Sequence, residues 1–305
     1  DAFVARIAAG GSAFVFSTFL GGSLSEEAAS VSIDINNNIL VAGSTETTFE
    51  FPTPAIPFPV VNAVTPVFGG QTDAFAAKLS PTGQVLYYST PLGGRGVEYA
   101  YDTCVDASGS LYVVGTTASV DFPVAGPIAS SLGSGSTDGF VTKLSPAGDA
   151  LTFSRFIGGT GSDALVSVAI LQTGSIAAFG YSNSTDVPLA NEFQSSLGGS
   201  ADGLMVVLSP TDGAAQTVSY FGDTASESFS SVASDPTGGI IALMNAGGPV
   251  FPGGGNAEFG PGGGSDPLVY RFYLEDLITP PTPPASLSAT PASPFRISLA
   301  WTDTS

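Results

Sequence analysis

The stretch DAFAAKLSPTG, from Asp73 to Gly83, decides the fold because it returns. DGFVTKLSPAG begins at Asp138, DGLMVVLSPTDG at Asp202, DAFVARIAAGG at Asp1 and DPLVYRFYLED at Asp266, so the starts lie 72, 65, 64 and 64 residues apart. A fixed period of this length means one supersecondary unit stacked several times. Within the stretch, apolar residues fall on alternate positions: Phe75, Ala77 and Leu79, then Phe140, Thr142 and Leu144, then Leu204, Val206 and Leu208, with Phe3, Ala5 and Ile7 at the start and Leu268, Tyr270 and Phe272 at the end. A period of two is that of a strand with one buried face.

Outward from that stretch, the unit between Ala100 and Thr160 shows four such runs. They are AYDTCVDASG, SLYVVGTTAS, DGFVTKLSPAG and DALTFSRFIGG, each bounded by Gly, Pro, Asp or Ser. No stretch has helical periodicity. Four strands in about 64 residues, repeated, predict an all-β chain: a β-propeller of four-stranded blades with about four complete repeats. In that fold each blade covers its neighbours' faces and only short edges stay open. A β-solenoid is the alternative, but its rungs are shorter. The strand count gives seventeen where four blades use sixteen, because the run at 1–7 and the run at 266–275 compete for one place. The chain is then a piece of a larger ring, or a spare strand pairs with another subunit.

The run VDASGSLYVVGTT (105–117), followed by DFP (121–123), DGFVTKLSPAG and FSRFIGG (153–159), resembles the bacterial SBBP-type β-propeller repeat over roughly residues 1–275. The resemblance implies an extracellular propeller and transfers no catalytic residues. Beyond it, TPPTPP (279–284) reads as a semi-rigid linker over 277–285. Residues 286–305 resemble the start of a fibronectin type III domain, with Leu287, Ala289, Ile297, Leu299 and Trp301 at core positions. About twenty residues cannot close that β-sandwich. The expected domains are therefore a propeller over 1–276, the linker, and this truncated module.

Composition narrows the function. Seven Lys and Arg against 26 Asp and Glu give a net charge of −19, which makes nucleic acid a poor partner. No apolar run approaches the length of a membrane span. The absence of an initiator Met and of an apolar leader is read as a removed signal peptide or a fragment. There is no His, which removes Ser-His-Asp and Cys-His nucleophiles and His-ligated metals. The single Cys104 aligns with Ser32, Ala169 and Ala233 and is expected to be a buried, inert thiol in a crowded inner strand.

Carboxylates are the remaining chemistry. Glu26, Glu27, Glu227, Asp163 and Asp102 could form a glycosidase pair, but are read as solvated rim groups of an acidic protein. The Asp at 1, 73, 138, 202 and 266 recurs in every copy, which points to capping of a turn. Five residues later stand Arg6, Lys78, Lys143 and Arg271, with Val207 as the exception, and these cations are expected to pair with acids on adjacent strands or blades. Asp34, Asn36 and Asn38 are the only calcium candidates. The spacing fits a hairpin turn at least as well, since Asp106, Asp235 and Leu171 hold the equivalent place and no distal Glu follows. Phe51, Phe58, Phe122 and Phe251 are candidate rim aromatics, although the recurrence of Phe-Pro at 51–52, 122–123 and 251–252 suggests repeated packing.

These observations predict a non-catalytic structural or adhesive propeller, secreted or on the cell surface, without catalytic residues or a cofactor beyond calcium. It would be a subunit of a surface or filamentous assembly. Its partners would be other copies of itself or other cell-surface proteins, joined by strand addition. The alternatives are a module that binds glycans or proteins, or a polysaccharide hydrolase or lyase.

Overall fold

The computed structural model describes residues 1–46, 56–65, 68–127, 132–133, 135, 137–247, 266–273, 287–293 and 296–301. The Phe51-Pro52 and Phe251-Pro252 pairs, the Gly-rich loop after Gly247 and the linker at 277–285 lie outside them. The described residues form strands, turns and loops, with no helix.

Three sheets have four antiparallel strands in simple succession. The first blade is β3 (Glu26–Ile33), β4 (Ile39–Glu46), β5 (Thr72–Leu79) and β6 (Leu86–Leu92). The second is β7 (Glu98–Val105), β8 (Leu111–Thr117), β9 (Asp138–Leu144) and β10 (Leu151–Ile157). The third is β11 (Asp163–Ile170), β12 (Ile176–Ser182), β13 (Asp202–Leu208) and β14 (Ala215–Phe221). The fourth holds β15 (Glu227–Ser234), β16 (Gly239–Ala246) and β17 (Asp266–Tyr273), and β1 (Ala2–Ile7) with β2 (Phe14–Leu20) forms a hairpin ahead of the first. The two runs expected to compete both keep their places: β17 pairs with β16, and β1 pairs with β2. A separate hairpin, β18 (Leu287–Ser293) and β19 (Arg296–Trp301), occupies the C-terminal region.

The first strands of successive blades are neighbours: β3 lies against β7, β7 against β11 and β11 against β15. The sheets therefore radiate from a common axis, which is the blade arrangement of a β-propeller. Apolar side chains fill each gap. Leu40, Ala42, Ala74 and Ala76 of the first blade meet Leu111, Val113, Phe122 and Phe140 of the second. Tyr112, Val114 and Val141 of the second meet Val168, Leu204, Val206 and Tyr220 of the third, and Phe179, Met205 and Val207 of the third meet Phe229, Ile240 and Met244 of the fourth. Cys104 sits on inner strand β7 beside the second of these cores, and burial pushes its thiol pKa up.

The recurrent cation crosses between blades. The Lys78 ammonium lies 3.0 Å from the carboxylate of Asp34 in its own blade and donates to the Pro146 carbonyl of the next blade at 3.2 Å. Lys143 repeats this with Asp106 at 3.3 Å and the Pro210 carbonyl at 2.8 Å, and Arg6 donates to the Pro81 carbonyl. Arg271 pairs with Asp235. In the third blade the acid position holds Leu171 and the base position Val207, both buried. The two exceptions in the sequence are thus one exchange of an ion pair for an apolar pair. We expect Lys143→Val alone to cost roughly 1–3 kcal/mol, because a mostly buried carboxylate loses its partner. Asp106→Leu/Lys143→Val, copying the third blade, should recover most of that loss in urea unfolding.

Candidate functional site: paired acids at the blade joints

Each blade passes to the next through a short link after its last strand. A single parallel bridge ties that link to the blade just completed: Thr72 with Val97, Thr137 with Ser162, and Ala201 with Ser226. The residue after each bridge partner is acidic, so the bridges set Asp73 beside Glu98, Asp138 beside Asp163, and Asp202 beside Glu227. These six side chains belong to residues that are at most 1% exposed. This corrects the reading of Asp163, Glu26 and Glu227 as solvated rim groups: each begins an inner strand and is buried.

The first glycine of each link makes the approach possible. A side chain at Gly158 would place its Cβ 2.6 Å from Asp163 Oδ2 and 2.7 Å from Asp138 Oδ1. At Gly93 the same point falls 1.9 Å from Asp73 Oδ1 and 2.8 Å from Glu98 Oε2, and at Gly222 it falls 2.5 Å from Glu227 Oε2 and 2.8 Å from Asp202 Cγ. Two carboxylates that close to one point are near neighbours. Gly21 holds Asp1 and Glu26 in the same way.

Backbone N–H groups serve one oxygen of these acids. Gly133 donates to Asp138 at 2.8 Å, Gly159 to Asp163 at 2.8 Å, Gly198 to Asp202 at 2.8 Å and Gly94 to Glu98 at 2.9 Å. The Ser119 and Thr117 hydroxyls add donors to Glu98, and Ser184 adds one to Asp163. Other oxygens are left over: Asp138 Oδ1, Asp163 Oδ1 and Glu227 Oε1 are buried without a hydrogen-bond partner. Burial, reinforced by the Asp163 charge, raises the Asp138 pKa to about 6. Burial with the charges of Asp223 and Asp202 raises that of Glu227 to about 7, and burial with the Asp73 charge also moves Glu98 upward.

The other candidates fall elsewhere. Asp34 Oδ1 accepts the backbone N–H groups of Asn36 and Asn38, both at 2.9 Å, while its Oδ2 faces Asn38 Nδ2 and Lys78. Asn37 turns through a φ of 61° between them, as Gly109 does at 86° in the second blade. Although burial opposes it, hydrogen bonds from Asn38 and Lys78 hold the Asp34 carboxyl below its ordinary range. Asp102 lies on inner strand β7 and links three blades, accepting from Ser30 Oγ at 2.8 Å and Ser167 Oγ at 2.9 Å. Phe58 and Phe122 are not rim aromatics: both are buried, against Phe68 and Phe75 and against Phe140 and Phe156. The pairing of acids escaped the sequence reading, yet it had a signal. Asp1 and Glu26, Asp73 and Glu98, Asp138 and Asp163, and Asp202 and Glu227 are each 25 positions apart.

No family model matches the chain, and no curated protein does. Among solved structures it is similar to one bearing the provisional name gluconolactonase, at 13% identity and a TM-score of 0.33. The match covers 84% of this chain, which spans 65% of the length of that structure. A likeness this distant transfers no chemistry. It does correct the expectation that the chain is not an enzyme, because the name attached to that structure is an enzyme's and the exclusion of catalysis no longer stands.

The acid pairs make stability depend on pH. A carboxyl whose pKa is higher folded than unfolded binds more protons in the folded state, so stability is lost as pH rises from the unfolded to the folded value. For Asp138 that window runs from 3.8 to about 6, and for Glu227 from 4.5 to about 7. In metal-free buffer these two groups should lower the melting temperature as pH rises from about 4 to about 7. Asp138→Asn should flatten the fall relative to the unaltered chain.

Proposed function

We propose that this chain is an assembly-forming propeller segment that docks head-to-tail on a second copy of itself through the faces of its terminal blades. One observation carries the reading. Positions buried in every internal blade are bare at the two ends. Val31 is 62% exposed, whereas Val168, at the same register in the third blade, is 5% exposed. Phe3 and Phe19 pair across the first hairpin as Leu204 and Tyr220 pair in the third blade, yet they are 64% and 76% exposed. At the far end Leu243 pairs with Val269 as Phe179 pairs with Met205 and Val114 with Val141. The fourth-blade residues are exposed, and their counterparts are covered by the next blade.

The two bare faces are therefore the two halves of an interface the chain already makes three times. A second copy continues that interface without new chemistry. The contact is heterologous, since each copy offers a different face, and it builds a ring or a filament according to whether the rotation closes. The resemblance to the SBBP-type repeat supports the same reading and adds a secreted or cell-surface location.

Sedimentation tests it with two variants, Phe19→Asp on one face and Leu243→Asp on the other. The unaltered chain should gain mass with concentration, and each variant alone should stay monomeric. Their equimolar mixture should form a one-to-one dimer, because each variant keeps the face the other has lost. A concentration-independent monomer from the unaltered chain, or self-association by either variant alone, overturns the proposal.

A further inference from the structure

We propose that the acid pair at the joint between the second and third blades, Asp138 with Asp163, holds a calcium ion. The starting point is a charge conflict. Two carboxylates taken out of water and set side by side repel each other, and neither is stable ionised without a positive partner. Among the described residues no Lys or Arg is paired with Asp138 or Asp163. Of the seven cations, Lys78, Lys143 and Arg271 face the turn acids Asp34, Asp106 and Asp235. Arg6 and Arg155 donate to the carbonyls of Pro81 and Gly213, Arg95 pairs with Asp121 at the surface, and Arg296 belongs to the C-terminal hairpin.

The unpartnered oxygens point to an ion. Asp138 is 1% exposed and Asp163 is fully buried, yet each keeps an oxygen with no hydrogen-bond partner. The bare Asp138 oxygen lies 2.7 Å from the point above Gly158 that Asp163 also approaches. At the next joint Glu227 also keeps a bare oxygen, but both oxygens of Asp202 accept hydrogen bonds. Buried acceptors of this kind are rare in folded proteins unless a water or an ion satisfies them.

The repeat itself argues against a merely tolerated pair. At the turns, where an acid meets a lysine, the third blade exchanges both residues for Leu171 and Val207. At the joints, where acid meets acid and an apolar exchange would relieve more strain, both acids stand in all three. The donor set selects the ion. It is oxygen alone, as hard cations prefer, and two carboxylates balance a double charge. Among the described residues no three acidic, His or Cys side chains converge, so backbone carbonyls and water complete the six to eight ligands calcium takes.

The test counts bound metal on the whole chain. Protein stripped with a chelator and dialysed against calcium should retain one ion per chain by elemental analysis, with magnesium failing to replace it. Its melting temperature should rise by roughly 5 °C or more at saturation. Asp138→Asn/Asp163→Asn should bind one ion fewer. Gly158→Ala, whose methyl enters the gap between the same two acids, should lose the same one. If neither variant folds, the count on the unaltered chain decides. Retention of no calcium, or a count untouched by the substitutions, overturns the proposal.

Discussion

Everything in this structure depends on one blade covering the apolar face of the next. A single four-stranded sheet here is greasy on both sides. Tyr112, Val114 and Val141 lie on one face of the second blade, and Leu111, Val113 and Phe140 on the other. Neither face can be left to water, so the sheets are stable only in a stack. The short links after each last strand turn the stack about an axis rather than letting it run flat, and the inner strands become neighbours. Polar contacts then fix the angle, with Asp102 tying three inner strands together and the lysines reaching the proline carbonyls of the following blade.

Two kinds of charged contact serve that stack, and they differ in kind. At the outer turns opposite charges meet, buried at Asp34 with Lys78 and partly exposed at Asp106 with Lys143 and at Asp235 with Arg271. Such a pair can be exchanged for apolar packing with little change in stability. The third blade makes that exchange with Leu171 and Val207 at no cost to its core, where both are buried. At the joints like charges meet at nearly complete burial, held by backbone N–H groups that the glycine links present. The glycines and the acids are therefore one device: without a Cβ at Gly93, Gly158 or Gly222 the carboxylates can close on each other, and with one they cannot.

The fold was legible because it rests on patterns of the chain itself. The period near 64, the alternation after each repeated Asp and the bounding turns announce blades before any contact is known. The turn pairs were half legible: the cation column was visible, and the matching exceptions Leu171 and Val207 stood in view without being joined. The acid pairs were missed for a physical reason. Residue type alone puts a carboxylate in water, which places Glu26, Asp163 and Glu227 at the rim. Only the parallel bridges bring the start of one blade's third strand against the start of the next blade's first. The constant spacing of 25 records that contact, but as a distance between two columns rather than a motif within one.

The ends of the arc carry the remaining imbalance, and its size can be weighed. Covering a large apolar side chain contributes about 1.5–3 kcal/mol. Phe3, Phe19, Val31 and Ile33 at one end, with Leu243 and Val269 at the other, together make a gain on the order of 10 kcal/mol when two copies meet. Association costs about 4–15 kcal/mol in lost freedom before any contact is counted. The two are of the same size, so the proposed docking of the ends would be governed by concentration rather than being obligatory. The same comparison explains why the internal joints are closed at any concentration. There the chain has already joined the two faces, and the cost of bringing them together is only that of a short link.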